Sequence, residues 1–498
     1  MNRHHIRRGT QHMRTMFSTK TKKYLLVQFL LIGMVLASLF LIATKCYIWF
    51  DESFTINLVR KKVPDLIRLT AMDVHPPLYY LAVRLCVVLF GENIFSFYLT
   101  SILCYGALLV ATSLFFCRYF SPEASFLVTA AFCAIPSMLM MGPLQLRMYS
   151  MAMLFVTVSF YLAYIVLYHL SSMNYGRSRR YLFLLALSNV LAAYTHYFAG
   201  VAAAAISFFL LIVFLWKKGR RKKMFLTWCL YCGGMIVLYL PWLPVLFRQM
   251  SAINGDYWIA PFTLDSLSSY WNLLFNMQPK ALRLLLIAFY LIGLFLFFLR
   301  FKRDSKNIWM LGCYVVILLW FAFGIEYSCI RTPILIDRYL LTLLPLAWLP
   351  VLFGYTRLSS KPVLGAALLL LTVCFVYNYK ASYQERATYS QKGLRDYIAA
   401  NASEKDIFLH FYIQDLSICE AYFPEMEHYV MDYADDGQAF RYWPLLVDCH
   451  ELSSADELPD TDANIWCLND SCIPIFEEMG YQVDYVKAGA QTFFQIHK

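Results

Sequence analysis

The sequence predicts a polytopic α-helical membrane protein with a small α/β domain at its C-terminal end. Three observations predict it. Of 498 residues, 60% are hydrophobic and 15% charged, more apolar surface than a water-soluble domain can hide. Eleven apolar runs reach spanning length, which is ~17–25 residues. Charge is also divided unevenly: residues 1–379 hold 35 basic and 11 acidic side chains, whereas 380–498 hold 8 and 21. A basic membrane body therefore joins an acidic tail, with a domain boundary near Tyr379.

Residues 1–23 read as a basic cytoplasmic segment, too polar and too long for a cleavable signal. The spanning runs lie near 24–44, 93–117, 124–141, 147–169, 181–199, 200–216, 224–243, 281–299, 308–324, 339–355 and 363–379. A shorter run, Pro77–Phe90, carries Arg84 in its middle. The positive-inside rule decides whether it crosses. If it does not, the N-terminus, Arg118, Arg177/Arg179/Arg180, Lys217 to Lys223, Arg300/Lys302/Arg303/Lys306 and Arg357/Lys361 all fall inside, 23 of the 35 basic residues. We therefore expect 77–90 to lie on the outer membrane surface, with Leu78, Leu81, Leu85, Val88 and Leu89 on one apolar face and the Pro-Pro pair at its start. The basic loops follow topology, so their charge carries no nucleic-acid signal. The N-terminus is expected in the cytoplasm and the tail outside.

This topology sends nearly every unusual polar group of residues 24–379 to one face. The first outer loop, 45–92, opens with Asp51-Glu52 and continues to Asp73-Val74-His75-Pro76-Pro77. Acids near a bilayer are costly, ~2.5–3.5 kcal/mol each at its centre. Asp51 and Glu52 suit the first turn of a helix; they also suit a general base and an orienting neighbour. A His between an acid and a Pro-Pro pair points to an anion-binding or leaving-group role for His75, with Asp73 beside it. Arg147, Arg331 and Arg338 sit at span ends, where each can snorkel. Together they suit a lipid phosphate, and Arg147 and Arg338, with Tyr149 and Tyr339 beside them, are the favoured pair. His196 is balanced between a site group and a hydrogen-bonded interfacial residue. Carboxylates at Asp51, Glu52 and Asp73 are compatible with a divalent metal, which nothing in the pattern requires. No other cofactor is expected.

The Asp-Glu after the first span, followed by Asp-x-His-Pro-Pro-Leu, resembles the protein O-mannosyltransferases and their bacterial relatives, a group that includes the transferase adding aminoarabinose to lipid A. Arg-Met-Tyr at 147–149, Tyr-Thr-His-Tyr-Phe at 194–198 and Arg-Tyr-Leu-Leu at 338–341 are similar to patterns among the bacterial members. The resemblance covers roughly 20–380 and implies the GT-C architecture. It implies a polyprenyl-phosphate sugar donor, Asp51 as acceptor-binding base, and Asp73 and His75 beside the sugar phosphate. The function it implies is inverting transfer of a monosaccharide to an acceptor hydroxyl of a cell-envelope glycan, lipid or protein. Protein mannosyltransferases usually continue with Gly-Lys where this chain has Tyr79-Tyr80, and no MIR domain is visible. A lipid or polysaccharide transporter is the alternative reading; it would place polar groups at the bilayer midplane, often between inverted repeats.

In the tail, Asp406–Tyr412, Glu427–Asp432 and Asn464–Leu468 read as strands, Ser390–Ala400 and Ile473–Met479 as helices, and Tyr481–Val486 with Thr492–Ile496 as a hairpin around Gly489. Cys419, Cys449, Cys467 and Cys472 allow three disulfide pairings. His410, His428 and His450 read as surface residues.

Overall fold

The computed structural model describes residues 18–45, 47–171, 175–216, 221–253, 259–302, 304–358, 360–388, 391–431, 443–459, 463–488 and 491–497. The basic stretch 1–17, the 217–220 part of the basic loop, Arg303 and Gly489 lie outside the described residues.

Each of the eleven apolar runs appears as helix. Eight described helices are long and apolar enough to cross a membrane alone: Thr21–Ala43, Ile94–Tyr119, Tyr149–Leu170, Tyr197–Trp216, Lys280–Leu299, Ser305–Ile330, Asp337–Thr356 and Lys361–Glu385. Phe225–Tyr239 and Leu243–Ala252, bent by 66°, make a ninth if they form one span. The run at 124–141 divides into Pro122–Ala134 and Pro136–Met140, because Pro136 has no N–H to donate and drives Ile135 out of helical geometry. Helix starts are capped as the sequence allows. Ser18, Asn93, Ser121 and Asp304 accept the amides of Thr21, Ser96, Ala124 and Asn307 at 3.1, 3.0, 3.1 and 2.9 Å. Between Lys280–Leu299 and Leu344–Thr356 the backbones nearly touch; a Cβ on Gly354 would collide with the Gly293 carbonyl.

The bundle separates its charges. At one end the basic loops meet: Arg300 and Arg357 each donate to the other's carbonyl at 2.5 and 2.8 Å, and Arg357 lies 3.6 Å from Asp304. At the other end lies the long first loop, folded as Phe50–Arg60, Val63–Met72 and Leu78–Phe90. The last carbonyls of a helix have no partner within it. Here side chains from other elements supply them. Arg84 donates to the carbonyls of Val59 and Arg60 at 2.6 and 3.1 Å. Gln249 and Arg248 donate to those of Thr70 and Ala71, both at 3.1 Å. The Leu78–Phe90 helix turns Tyr79, Tyr80, Val83 and Val87 inward and leaves Leu85, Val88, Leu89 and Phe90 exposed, an apolar stripe facing away from the protein.

The helix expected to end at Tyr379 runs on to Thr388. The tail then forms a six-stranded sheet: β1 (Ile407–His410), β2 (Glu427–Met431), β3 (His450–Leu452), β4 (Ile465–Cys467), β5 (Gln482–Ala488) and β6 (Gln491–His497), in the order β3-β2-β1-β4-β6-β5. β3, β2, β1 and β4 run parallel, and β6 closes antiparallel on β4 and β5. Asp406 anchors its centre. It accepts from Ser403, Asn464 and the Trp466 indole at 2.7–3.2 Å. Burial alone would raise this carboxyl, but those donors outweigh it and hold it below the usual range.

Two expectations for the tail need correction. His410 and His428, read as surface residues, are each 1% exposed, with their rings joined by a 3.0 Å bond between His410 Nε2 and His428 Nδ1. The helix Ile413–Tyr422 between β1 and β2 was not read from the sequence at all. It has no simple amphipathic period because it is covered on both sides, by the sheet and by the membrane body.

Candidate active site

The chain has to leave its first span and return within some fifty residues, and it uses that loop to bring acids, a His and two arginines together. Trp49 precedes the Phe50–Arg60 helix without a side-chain cap, so Asp51 and Glu52 occupy its first turn, where carboxylates complement the helix dipole. From there their paths diverge. The Asp51 carboxylate points to Arg338, whose Nη1 donates at 2.9 Å, with Arg147 Nε 3.9 Å from the same oxygen. Its own carbonyl accepts from Arg147 Nη1 at 3.2 Å. Glu52 is fully buried and accepts from the Tyr98 hydroxyl at 3.0 Å and the Leu146 amide at 2.9 Å. Glu52 therefore holds the loop that carries Arg147. Thr55, one turn on, donates to the Leu146 carbonyl at 2.9 Å.

The segment after Met72 turns back toward Arg147. Asp73 Oδ2 lies 2.9 Å from His75 Nδ1, and Arg147 Nη2 lies 3.4 Å from His75 Nε2. A guanidinium only donates, so Nε2 accepts and Nδ1–H donates to Asp73. Burial pulls His75 below the usual imidazole range; the Asp73 carboxylate opposes this and Arg147 adds to it. For Arg147, burial lowers the pKa, but the Asp51 carboxylate prevails and raises it overall. Arg338 and Tyr339 enter from the 3-10 segment Asp337–Leu343 that begins the Asp337–Thr356 span, and His196 sits at the break between Tyr175–Thr195 and Tyr197–Trp216. The His196 ring lies 6.0 Å from His75, 5.9 Å from Tyr149 and 4.8 Å from Tyr339.

Eight of the ten residues singled out from sequence thus form one connected cluster; Glu52 supports it from behind, and Arg331 is exposed at the end of the Ser305–Ile330 helix. The three carboxylates weighed as metal ligands do not converge. Asp51 faces Arg338, Glu52 faces Tyr98 and Leu146, and Asp73 faces His75; among the described residues no group of three or more His, Cys, Asp or Glu side chains assembles. Tyr80 and Tyr98 were missed. Tyr80 was visible only as a departure from the resembled pattern, and Tyr98 lies inside an apolar span, where nothing in sequence separates it from core.

A cavity of about 380 Å³ opens beside this cluster. His75, His196 and Tyr339 line its polar end, and Ala193, Val201, Ile253, Ile259, Phe323 and Ile334 are among its apolar walls. Four polar atoms in and around the cluster are buried with no hydrogen-bond partner: Arg147 Nε, the hydroxyls of Tyr80 and Tyr149, and His196 Nε2, the last on a residue that lines the cavity. His196 Nδ1 already accepts the Phe198 amide at 3.1 Å, which leaves Nε2 as the protonated nitrogen. All four atoms can therefore donate. Buried polar atoms are nearly always satisfied, so a cluster of idle donors beside a cavity suits an acceptor-rich ligand.

No protein-family model matches the sequence, and no curated protein matches it either. Solved structures do. ArnT from Cupriavidus metallidurans in the apo state superposes with a TM-score of 0.64 at 11% identity, over 95% of this chain and 97% of that one. The same protein bound to undecaprenyl phosphate gives a TM-score of 0.64 at 10% identity with the same coverage. At that identity the likeness establishes architecture alone: the chain has the GT-C fold that the ArnT structures share.

Proposed function

We propose that this chain is an inverting glycosyltransferase that moves a monosaccharide from a polyprenyl-phosphate donor to an acceptor hydroxyl at the outer face of the membrane. The observation that carries the reading is the set of idle donors in a cluster whose His75, His196 and Tyr339 line the apolar cavity. A phosphate supplies several acceptor oxygens and an isoprenoid chain supplies the apolar remainder; the ArnT structure that holds undecaprenyl phosphate shares this fold. The outer location rests on the charge segregation along the bundle.

In this mechanism the phosphate lies between Arg147, Arg338, His196 and Tyr149. Asp51 accepts the proton of the acceptor hydroxyl as its oxygen attacks the anomeric carbon. The bond from that carbon to the phosphate oxygen breaks, its electron pair leaves with the phosphate, and the configuration inverts. Fixed cations aimed at the departing phosphate stabilise the developing charge. Asp73 fixes the His75 tautomer, and His75 in turn braces Arg147. The test is release of free polyprenyl phosphate when purified protein meets a polyprenyl-phosphate sugar and a pool of envelope acceptors. The wild type should release it and Asp51→Asn should not, while still inserting. Near-normal turnover in Asp51→Asn would remove that residue from the mechanism, and no release from any such donor by the wild type would remove the function.

A further inference from the structure

We infer that the C-terminal domain positions the general base, through a direct clamp on the helix that carries Asp51; the inference rests on the transferase reading above. The Phe50–Arg60 helix has two working faces. Asp51, Glu52 and Thr55 face the site. Ser53, Asn57 and Arg60, spaced at i, i+4 and i+7, face the tail's Ile413–Tyr422 helix. Side chains at that spacing share one side of a helix.

The clamp is specific along its whole length. Ser53 donates its hydroxyl hydrogen to the Phe50 carbonyl at 2.7 Å, so the Ser417 hydroxyl donates to Ser53, also at 2.7 Å and fully buried. Asn57 Nδ2 donates to the Ser417 carbonyl at 3.0 Å. Arg60 closes the far end. Its Nη1 and Nη2 donate to the carbonyls of Glu420 and Ala421 at 2.9 and 3.1 Å, and Nε to Glu92 at 2.7 Å. Those carbonyls belong to the last turn of the tail helix, whose negative dipole end attracts a cation. Arg84 caps the Phe50–Arg60 helix in the same way. Two arginines thus link the Leu78–Phe90 helix, the Asp51 helix and the tail helix end to end. The Tyr422 hydroxyl also accepts the Ile48 amide, at 2.6 Å, just ahead of Asp51. Apolar contact supports the polar seam: Ile413, Leu416 and Ala421 join the hydrophobic core of the membrane body, not the core of their own sheet. The base therefore sits on a helix gripped from both sides, and the tail supplies one of the grips. Arg60 is a positioning residue and touches no reacting atom.

The test uses the full chain in lipid nanodiscs with Arg60→Gln, Arg60→Lys and Ser417→Ala. Hydrogen–deuterium exchange over 50–60 should accelerate at least tenfold in Arg60→Gln and less in Arg60→Lys, whose ammonium still reaches the carbonyls. Affinity for undecaprenyl phosphate, used as the probe, should stay within threefold. On a lipid-linked sugar consumed by the wild type, kcat should fall at least tenfold with the donor KM within threefold. Unchanged exchange over 50–60 in both Arg60→Gln and Ser417→Ala would overturn the inference, as would faster exchange with unchanged kcat. Joint loss of probe binding and turnover would overturn it too, because the clamp would then only hold the fold. The exchange reading needs no turnover, so a failure of the transferase reading would be seen separately, in the wild type.

Discussion

Replacing Glu52 separates a supporting role from a chemical one. Two bonds to its carboxylate, from the Tyr98 hydroxyl and from the Leu146 amide, end on the same oxygen, Oε1. A Gln side chain keeps an oxygen there, so Glu52→Gln preserves both acceptor contacts and exchanges two charge-assisted bonds for neutral ones, a loss of about 1–2 kcal/mol. Glu52→Ala strands two buried donors instead, at about 1–3 kcal/mol each, or roughly 2–6 kcal/mol together, a large share of the ~5–15 kcal/mol that holds a typical domain folded. It also frees the loop that carries Arg147. Thermal unfolding followed by tryptophan fluorescence reports the first quantity, and polyprenyl phosphate release at saturating donor reports the second. We expect Glu52→Gln to keep its rate within about tenfold of wild type, where loss of a general base costs ~10²–10⁴-fold. A Glu52→Gln protein as stable as wild type but slower by a thousandfold would refute the supporting role and return Glu52 to the chemistry.

Two further outcomes follow from particular contacts. Arg147→Met should weaken undecaprenyl phosphate binding about ten- to a hundredfold by isothermal titration, the equivalent of one or two charge-assisted bonds at ~1.4 kcal/mol per decade, while Asp51 keeps its bond to Arg338. In the tail, burial pushes Glu420 up to about 7; a raised carboxyl stabilises the fold below its unfolded pKa and loses that contribution as pH climbs to the folded one. Glu420→Gln should therefore gain on wild type in tail melting temperature between about pH 4.5 and about 7, and an equal pH dependence for the two proteins would contradict it.

Much of the membrane body was legible because spanning length and positive-inside bias are one-dimensional signals. The cluster of Asp51, Asp73, His75, Arg147 and Arg338 was legible because polar groups at span ends stand out against apolar runs. What sequence did not reveal was direction. Asp51 and Glu52 are neighbours on one helix turn, yet one faces a guanidinium and the other a backbone amide 94 residues away, and only the packing of that helix decides which. The tail helix Ile413–Tyr422 was lost for a related reason: a helix wrapped by sheet and bundle shows no polar face. His410 and His428 were misjudged because they stand 18 residues apart in the sequence and nothing local shows that their rings meet in a hydrogen bond.

The contacts of Asp51 imply an order of events. Its carboxylate lies 2.9 Å from Arg338 Nη1 and 3.9 Å from Arg147 Nε, and under the proposed transfer a donor phosphate would compete for the same two guanidiniums. Under that proposal, a phosphate seated against the cluster would draw Arg147 and Arg338 toward itself, loosen their hold on Asp51 and leave its oxygen open to an acceptor hydroxyl. The proposed base would thereby be released only once a leaving group is seated. One consequence runs against the usual effect of deleting a site residue. Asp51→Asn removes a competing anion, so it should bind undecaprenyl phosphate about three- to tenfold more tightly than wild type, a gain of about 0.7–1.4 kcal/mol, in the same protein that no longer transfers sugar. Titration of detergent-solubilised wild type and Asp51→Asn reads this directly. Weaker binding by the variant would mean that Asp51 holds the arginines in place for the phosphate, and the exchange of partners would fall.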